Sequence, residues 1–577
     1  MRFAPSLTLG LLSLLACEAG PALEARLGDA TSPEADAGPS GSSNDAERPL
    51  DAQNRDGTRP DSTLTDASPV DAALADAAPA AATCVVDVPT VPIRRLSPKH
   101  YREAVRHLLH QPEAEPDLAP DPAPALSLLG AEKLAAAARA LADALDFAAV
   151  LPCDPNDIGE EACLLAFIEL FSAEAFRRPP TDAERAWLIQ AHDGLPDAAS
   201  FEDRVRLLVE IILQSPAFLY LIEVGEGDSP VRPLSDHELA TRLAFGFLGA
   251  PPSGTLRAAA DQGILSQPIE MAHQIDLLLA DPRARNRLSD FLAHWFELER
   301  FDQVSKSAAT WPQFTPELRA EMRAETEALF SGAETLEALL TSTEARVGPA
   351  LAAVYGVLAG DIQLDPQERA GVLTRAAFLS LRAGPEVQSP IHRGAFIRRH
   401  LLCLPMPPPP ANVTEVPIVR GSQGDDGHPR TLREIVTART AAPDCMGCHA
   451  LINPIGFALE NFNGIGGFQT EESGYDRHLR QPYTVPVDAR GTVPGSDIEG
   501  ELVGGVALSQ ALAASPQVAD CIADQWFVWF FERPIEPQDA CSVEQLRTAF
   551  RASGGRFDVL LRTTPTLPAF RLIRGTP

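Results

Sequence analysis

The sequence predicts a mainly α-helical protein made of several consecutive helical segments. Apolar residues recur at three- and four-residue steps in stretches such as "SPKHYREAVRHLL" and "RNRLSDFLAHWFELERF", which is the spacing of helices with one buried face. Strong helix formers dominate "AEKLAAAARALADAL", and short turns marked by proline or glycine separate roughly fifteen predicted helices. Near 480–500 the sequence "YTVPVDARGTVPGSD" combines β-prone residues with turn signals, which predicts a small β-hairpin.

The start of the chain has the pattern of an export signal. Within residues 1–17, one Arg precedes a short apolar run from Leu7 to Leu15 that is too short to span a bilayer. The sequence "LLAC" resembles a bacterial lipobox, in which Cys17 becomes the lipid-carrying first residue of the mature protein; a plain cleaved signal that discards Cys17 is the alternative. We therefore expect an exported protein of the cell envelope, lipid-anchored to the outer membrane on its periplasmic or cell-surface side.

Residues 18–83 predict a disordered tether. This stretch is rich in Ala, Asp, Pro, Ser and Gly, contains no aromatic residue and has an acidic excess, so it cannot bury enough apolar surface to offset the entropy of ordering. The whole chain has a net charge of −31 and only three Lys, with no basic stripe. This charge distribution argues against a nucleic-acid partner, and we expect contact with a membrane only through the N-terminal lipid.

The cysteine count predicts disulfides. Of the nine cysteines, Cys17 is the lipid site and Cys445 and Cys448 belong to the motif described in the next paragraph. The other six are an even number, which in an exported protein suggests up to three disulfides. The expected pairs are Cys153–Cys163 and Cys521–Cys541, which are local, and Cys84–Cys403, which follows only by elimination.

The stretch "DCMGCHALINP", residues 444–454, carries the strongest chemical signal. Covalent haem attachment needs two thiols for the two vinyl groups and an imidazole directly after the second thiol, and Cys445, Cys448 and His449 meet that requirement. The thiols are joined to haem outside the cytoplasm, which agrees with export. Pro443 and Asp444 predict the start of a short helix with Asp444 as its N-cap. The motif therefore predicts one c-type haem.

Two other chemistries remain possible for these cysteines. A Cys445–Cys448 disulfide is feasible in an oxidising compartment, but a redox pair does not require His449, and the chain lacks a thioredoxin-like βαβ pattern. Zinc would need a second pair of ligands at close spacing, and the sequence contains no second CxxC.

The ligand on the opposite face of the iron is not identified by the motif. No Met follows His449, so a downstream Met ligand is excluded, and His478 is the only downstream His. The remaining candidates are a water-bound or vacant position, Met406, His392, His400 and His428. Two His ligands would suit a low-potential electron carrier, whereas an open position would permit peroxide or small-gas chemistry.

Two further features near the motif have a functional and a structural interpretation. Arg393 in "SPIHRGAFIRRHLLC" is a candidate for binding haem propionates, because the guanidinium fork suits carboxylates; otherwise it belongs to a solvated face or pairs with acidic residues. The segment "PIGFALENF", residues 454–462, predicts an apolar wall for a haem pocket or an ordinary helix-turn core. Nothing else in the sequence has the pattern of a catalytic site, and no Gly-rich phosphate loop is present.

Several segments, taken in order, resemble a known family. They include "RRLSPKHYREAVRHLL", "FRRPPTDAE" with "ILQSPAFLYLIE", "LSDHELATRLAFGFLGAPPSG", "CMGCHALINPIGFALENFNGIGGF" and "VADCIADQWFVWFFERP". Together they resemble an exported multi-domain family of unknown function from planctomycetes and myxobacteria, built from domains of unknown function numbered 1587, 1595, 1592, 1588 and 1585. The resemblance implies five helical domains in that order, at 90–155, 156–228, 229–362, 366–470 and 484–574, the fourth carrying the proline-rich segment and the CxxCH motif. It also implies association with c-type cytochrome domains and no established activity.

We therefore expect an exported lipoprotein that binds one haem and acts in electron transfer or envelope redox chemistry with an unidentified redox or envelope protein. One alternative is a non-haem envelope protein with a structural Cys445–Cys448 disulfide, whose helical body binds a polymer or a partner protein. A second alternative is a peroxidase-like haem enzyme with an open iron site. An electron carrier or a binding protein fits the sequence better than a hydrolase.

Overall fold

The computed structural model describes residues 84, 86–118, 125–196, 198–406, 430–476 and 479–575. Helices dominate these residues, and their strands form five two-stranded antiparallel pairs, so the predicted mainly α-helical class is confirmed. The predicted signal peptide, its Cys17 and the acidic tether lie outside the described residues. Among the helices of the described part, none combines the length and apolar character that crossing a bilayer requires.

The first helical region has its own hydrophobic core, formed by residues between Leu96 and Leu219 with Phe245 packed against them. Several of its helices begin at a polar cap; Thr181 and Ser200, for example, each complete a capping box with an acidic residue three positions later. The elements of this region are β1 (Arg94–Arg95), α1 (Pro98–Leu108), α2 (Leu128–Asp143), α3 (Phe147–Val150), α4 (Pro155–Ile158), α5 (Glu160–Phe176), α6 (Asp182–Asp193), α7 (Phe201–Gln214), α8 (Pro216–Leu219) and β2 (Tyr220–Leu221).

A second, larger core begins at Leu234 and includes buried residues up to Ile573. In its first half, the helix at Pro390–Phe396 continues directly into one turn of π-helix at Ile397–Leu401. The elements of this half are β3 (Val231–Pro233), α9 (Asp236–Leu248), α10 (Gly254–Asp261), α11 (Pro268–Ala280), α12 (Pro282–Trp295), α13 (Pro316–Gly332), α14 (Leu336–Thr341), β4 (Glu344–Val347), α15 (Pro349–Tyr355), β5 (Gly360–Gln363), α16 (Ala376–Leu381) and α17 (Pro390–Phe396), with 3-10 turns at Leu298–Gln303 and Val372–Thr374.

The second half of this core contains the CxxCH motif and the C-terminal helices. Its last strand pairs with β3, with Leu572 opposite Pro233, so the end of the chain returns to the start of the same core. The elements are α18 (Leu432–Arg439), α19 (Pro443–Phe457), β6 (Glu471–Asp476), β7 (Gln481–Pro486), β8 (Arg490–Gly491), β9 (Leu502–Val503), α20 (Gly504–Ala513), α21 (Pro516–Phe531), α22 (Ala540–Ala552), α23 (Phe557–Thr563), α24 (Pro568–Arg571) and β10 (Leu572–Arg574), with 3-10 turns at Pro537–Asp539 and Thr564–Thr566.

The β-hairpin predicted near 480–500 begins earlier than expected. Strand β7 pairs backward with β6, from Glu471 opposite Pro486 to Asp476 opposite Gln481. Strand β8, inside the predicted stretch, makes a separate short pair with β9. Strand β6 was missed because its sequence, "EESGYD", is acidic and has little β propensity.

Buried arginines connect distant parts of the chain through hydrogen bonds to backbone carbonyl groups or to a buried carboxylate. Arg242 on α9 donates to the carbonyl oxygens of Ala569 and Phe570 in α24, at 2.9 and 2.6 Å. Arg375, just before α16, is fully buried and bonds the carboxylate of Glu325 on α13 at 2.7 Å. A guanidinium group can make these bonds because it presents five donors in a planar fork.

The described residues contain three disulfides, and all four cysteines expected in local pairs are in disulfides. The predicted local pair Cys521–Cys541 is nevertheless wrong, and so is the pairing expected by elimination. The observed pairs are Cys153–Cys163, as predicted, Cys403–Cys521 and Cys84–Cys541.

The antiparallel packing of α21 and α22 explains why Cys521 and Cys541 do not pair. Two ion pairs give the direction of packing: Arg547–Asp524 and Arg551–Asp520. In this arrangement Cys541, near the start of α22, lies beside the end of α21, whereas Cys521 lies about 15 Å further back along α21. A disulfide requires Cα atoms within about 7 Å, so proximity in the sequence was misleading.

We predict that the Cys403–Cys521 disulfide stabilises the protein more than Cys153–Cys163 does. The first joins residues 118 positions apart and the second residues only 10 apart, so the first removes more chain entropy from the unfolded state. Replacing Cys403 and Cys521 by Ser should lower the free energy of unfolding by about 2 kcal/mol more than replacing Cys153 and Cys163, measured by denaturant titration. Equal losses in the two double variants would contradict this expectation.

Candidate functional site

The CxxCH motif occupies the first two turns of helix α19. The helix begins two residues earlier than predicted, with Ala442 in place of Asp444 as the N-cap and Pro443 in the first turn, so the expectation that Asp444 is the N-cap was wrong. Asp444 lies in the first turn, where its negative charge favours the helix N-terminus. Cys445 and Cys448 are three residues apart on this helix, so their thiols lie on one face, one turn apart.

The motif lies at the accessible end of α19. Both motif cysteines are free thiols and half-buried, and the Met446 side chain between them is 44 % exposed. From Ile452 to Phe457 the helix is buried except at the half-buried Pro454, and Ile455 has no exposed surface. The helix therefore combines an accessible N-terminal half, which carries the thiols, with a C-terminal half held in the core.

His449 belongs to a chain of hydrogen bonds that determines which ring nitrogen carries the proton. Thr440 Oγ1 donates to the carbonyl oxygen of Val436 at 2.8 Å, so this hydroxyl accepts a bond from Asn453 Nδ2 at 3.0 Å. The other end of the Asn453 amide, Oδ1, then faces His449 Nδ1 at 3.0 Å. Because this oxygen only accepts, Nδ1 carries the proton, and Nε2 keeps a lone pair that can bind a metal.

The buried half of α19 packs very closely against α17. A Cβ atom at Gly394 would overlap the carbonyl oxygen of Ile452, and one at Gly456 would overlap the carbonyl oxygen of Pro390. The order of these two contacts along the chain shows that the helices run antiparallel. At this separation only glycine fits at either position, and the two helices act as one rigid support for the motif.

Two other elements contact α19. Leu432 and Val436 of α18 pack with Phe457 in a small apolar cluster. Gly491 of β8 comes so close to the Pro454 carbonyl that a side chain at Gly491 would overlap it. Pro454 lies inside the helix and lacks the N–H that would bond the carbonyl four residues earlier, on exposed Ala450.

Arg393 is placed far from the thiols. Its side chain has no exposed surface, and its guanidinium donates to the carbonyl oxygens of Leu459, Phe462 and Asn463 at 2.8, 2.9 and 3.0 Å. Burial lowers the pKa of Arg393 to about 10, so it remains charged. These partners follow the end of α19, whereas the cysteines lie near its start, so the structure gives Arg393 a helix-capping role and does not bring it to the motif.

The predicted apolar wall belongs to the core. Ile455, Leu459 and Phe462 have no exposed surface, and Phe457 is 6 % exposed. Their side chains pack against neighbouring helices, which is the structural interpretation that the sequence left open.

The predicted candidates for the opposite axial ligand are only partly described. His478 and His428 lie outside the described residues. His400 stacks on Phe396, with ring centroids 4.6 Å apart, and burial lowers its pKa. Within the part of the chain that the structure covers, no group of three or more His, Cys, Asp or Glu side chains is arranged to hold a metal ion, as the zinc interpretation would need.

A buried carboxyl near the end of α19 was not identified from the sequence. Glu460 has no exposed surface, and neither of its carboxyl oxygens makes a hydrogen bond of ordinary geometry, although Gln388 lies nearby. Burial first, and the charge of Glu472 second, raise the pKa of Glu460 to about 8 against the opposing charges of Arg393 and Arg433. The available signal was its position inside the apolar run "GFALENF".

Asn453 was also missed, although the sequence contained a signal for it. It follows His449 by four residues in "HALIN", which is the spacing of neighbours on one helix face.

Four family models match consecutive stretches of the chain. Each is described as a protein of unknown function: DUF1595 matches residues 163–223, DUF1592 residues 234–357, DUF1588 residues 369–472 and DUF1585 residues 500–570. The chain belongs to a multi-domain family of unknown function. These matches confirm four parts of the predicted resemblance, and the part numbered 1587 stays a prediction. No curated protein and no solved structure matches the chain.

The CxxCH motif lies within the stretch of the chain that one of these family models matches. The DUF1588 match includes Cys445, Cys448 and His449 together with Arg393. It therefore covers α17, α18 and α19, the three helices that position the motif.

We predict that Glu460 makes the stability of the protein depend on pH. Its pKa is raised from 4.5 to about 8 in the folded state, so its contribution is fully present below pH 4.5 and is lost as pH rises through about 8. The free energy of unfolding should fall over this range, and Glu460→Gln should flatten the fall. Denaturant unfolding at several pH values measures it, with the exposed Glu471→Gln as control. Identical pH profiles for wild type and Glu460→Gln would refute the prediction.

Proposed function

We propose that the protein is an exported haem protein in which Cys445 and Cys448 hold one haem covalently and His449 binds its iron. The observation that carries this proposal is the hydrogen-bond chain that leaves Nε2 of His449 with a free lone pair. Metal-binding histidines commonly donate the other ring N–H to a fixed acceptor, which sets the tautomer and the orientation of the ring.

The thiols have the arrangement that covalent attachment needs. They lie one helical turn apart on the accessible half of α19, and neither is in a disulfide. Because His449 follows Cys448 directly, the same turn presents the imidazole beside the second thiol. A structural Cys445–Cys448 disulfide would not require His449 or its hydrogen-bond partners, so the haem interpretation accounts for more of the site.

Residues around the motif would fix the orientation of the His449 ring and the ring nitrogen that carries its proton. Asn453 keeps the proton on Nδ1, and Thr440 keeps the Asn453 amide in one orientation. The contact with α17 holds α19, the helix that carries His449 and Asn453. A bound haem would supply one-electron transfer, with a potential set by its axial ligands and their hydrogen bonds. We therefore favour electron transfer or envelope redox chemistry over a hydrolytic reaction.

The proposal extends to the location of the protein. The export signal and the lipobox-like "LLAC" support a lipid anchor at Cys17, followed by the acidic tether of residues 18–83. The partner would be another redox or envelope protein. His478 would be the second protein ligand of the iron, and an open iron site with peroxidase-like chemistry is the alternative.

We predict that the protein, expressed with haem-attachment machinery, retains haem on a denaturing gel stained for haem peroxidase activity. The double variant Cys445→Ser, Cys448→Ser should lose the stain, because no thiol remains to bond the vinyl groups. Cys153→Ser, Cys163→Ser removes a disulfide away from the motif and should keep the stain. An unstained wild-type band with the mass of the apo chain would end the haem proposal.

The spectrum of the reduced protein distinguishes a carrier from an enzyme with an open site. An unchanged spectrum under carbon monoxide is expected for iron with two protein ligands, and His478→Ala should then make it sensitive to carbon monoxide. A wild-type spectrum that shifts under carbon monoxide would support the open-site alternative and contradict His478 as the ligand.

We predict that Asn453 acts on the haem through His449. In Asn453→Asp a carboxylate would accept the Nδ1–H bond, make the imidazole a stronger donor and lower the reduction potential by roughly 60 to 120 mV, the equivalent of a ten- to hundredfold change in equilibrium. Asn453→Leu removes the acceptor and should raise the potential. Both variants keep the thiols, so haem staining should persist. Potentials equal to that of the wild type in both variants would show that Asn453 only supports the helix.

A further inference from the structure

A small cavity lies where the first helical region meets the second core. It is lined by residues from β1, α1, α9 and α12 and by the end of α21, and its volume is about 40 Å³. A single water needs roughly 10 to 15 Å³ by the same measure, so the cavity has room for about three waters or one small polyatomic ion. Neither the CxxCH motif nor any residue that supports it contributes to its lining.

Positive side chains outnumber negative ones in this lining. The charged residues are Arg94, Arg95, Arg242, Arg287, Arg533, Glu223 and Glu532. This excess contrasts with the chain as a whole, whose net charge is −31. Cations concentrated in a partly enclosed cavity of an acidic protein create a local positive field that favours an anion.

Two of these arginines are already neutralised by carboxylates. Arg242 makes two bonds with Glu223, at 2.6 and 2.7 Å, from Nε and Nη2. Arg533 makes two bonds with Asp539, at 2.5 and 2.7 Å. Bidentate pairs of this kind use both carboxylate oxygens, so Glu223 has little capacity left for the other cations.

Arg94 and Arg287 keep donors available. Of the carboxylate oxygens that the structure describes, Glu223 Oε1 is the one that pairs with Arg94, and its distance of 3.8 Å is too long for a hydrogen bond. Arg287 uses Nε on the carbonyl oxygen of Gly246 at 3.1 Å and lies over the Trp529 ring. Its Nη1 is 3.5 Å from Asp290, and its Nη2 makes no hydrogen bond with the described residues.

His100 adds a neutral donor to the same cavity. Its ring packs edge-on against Phe245, with centroids 5.2 Å apart, and its ring nitrogens make no hydrogen bond with the residues that the structure describes. Burial first, and then the positive charges of Arg287, Lys99 and Arg94, lower the pKa of His100 to about 4. The ring is therefore neutral at pH 7, with one N–H to donate.

We propose that this cavity binds a small oxyanion, inorganic phosphate or a carboxylate group, through Arg94, Arg287 and His100. These side chains come from β1, α12 and α1, so a bound oxyanion would join elements of both helical regions. Guanidinium groups are suited to either anion because their N–H donors match the spacing of its oxygens. The proposal does not rest on the presence of haem.

Isothermal titration of the full chain with sodium phosphate, and separately with sodium acetate, tests the proposal at low ionic strength. We expect one site for at least one of these anions. Arg94→Gln and Arg287→Gln should each weaken binding by about ten- to hundredfold, the loss typical of one charge-assisted hydrogen bond. Arg283→Gln is the matched control, because Arg283 is on the same helix, pairs with Asp281 and does not line the cavity.

Each outcome either supports or overturns the proposal. Tighter binding of phosphate identifies a phosphate site, and tighter binding of acetate identifies a carboxylate site. Absence of binding by both anions, or wild-type affinity in Arg94→Gln, overturns it. Arg287 also contacts Trp529, so a melting curve must show that Arg287→Gln folds. Arg94→Gln serves as the independent test because, within the described part of the chain, the Arg94 side chain makes only the long contact with Glu223.

Discussion

The close contact between α17 and α19 is the constraint on which the candidate site depends. Gly394 and Gly456 let the two backbones touch, and this distance is what allows Arg393 to reach the carbonyl groups beyond the end of α19. A side chain at either glycine would separate the helices and break those bonds. Among the described residues, none packs as closely against the accessible half of α19, where a Cβ atom at Gly447 would meet no atom within 4 Å. The buried half of the helix, which carries Asn453, therefore sets the position of His449.

Much of the fold could be predicted because its signals are local. Helix caps, apolar spacing and proline turns are properties of short stretches, and they predicted the helical class. The Cys153–Cys163 pair was predictable for the same reason. Cys521 was assigned to the wrong partner because its pairing depends on how α21 lies against α22 and against the end of α17, which no short stretch encodes.

The candidate site was predictable in its reactive groups and not in their surroundings. The spacing of Cys445, Cys448 and His449 follows from helix geometry alone, and α19 presents them as expected. Arg393 was expected to meet a ligand, but an arginine can serve a carboxylate or a set of backbone carbonyls equally well, and only its burial distinguishes the two. Asn453 could have been predicted as a neighbour of His449 because it follows that residue by four positions. Its other partner, Thr440, could not, because it comes from the end of another helix.

The Cys84–Cys541 disulfide has a mechanical consequence. It joins the first described residue to α22, so two cysteines with a sequence separation of 457 close the chain between them into a covalent loop. A force that pulls on the chain ahead of Cys84 and at its C-terminal end passes through this bond and then only through the residues after Cys541. Both the first helical region and the motif helix therefore lie outside the path of the load. Along the covalent chain, tension would reach them only after the disulfide is reduced.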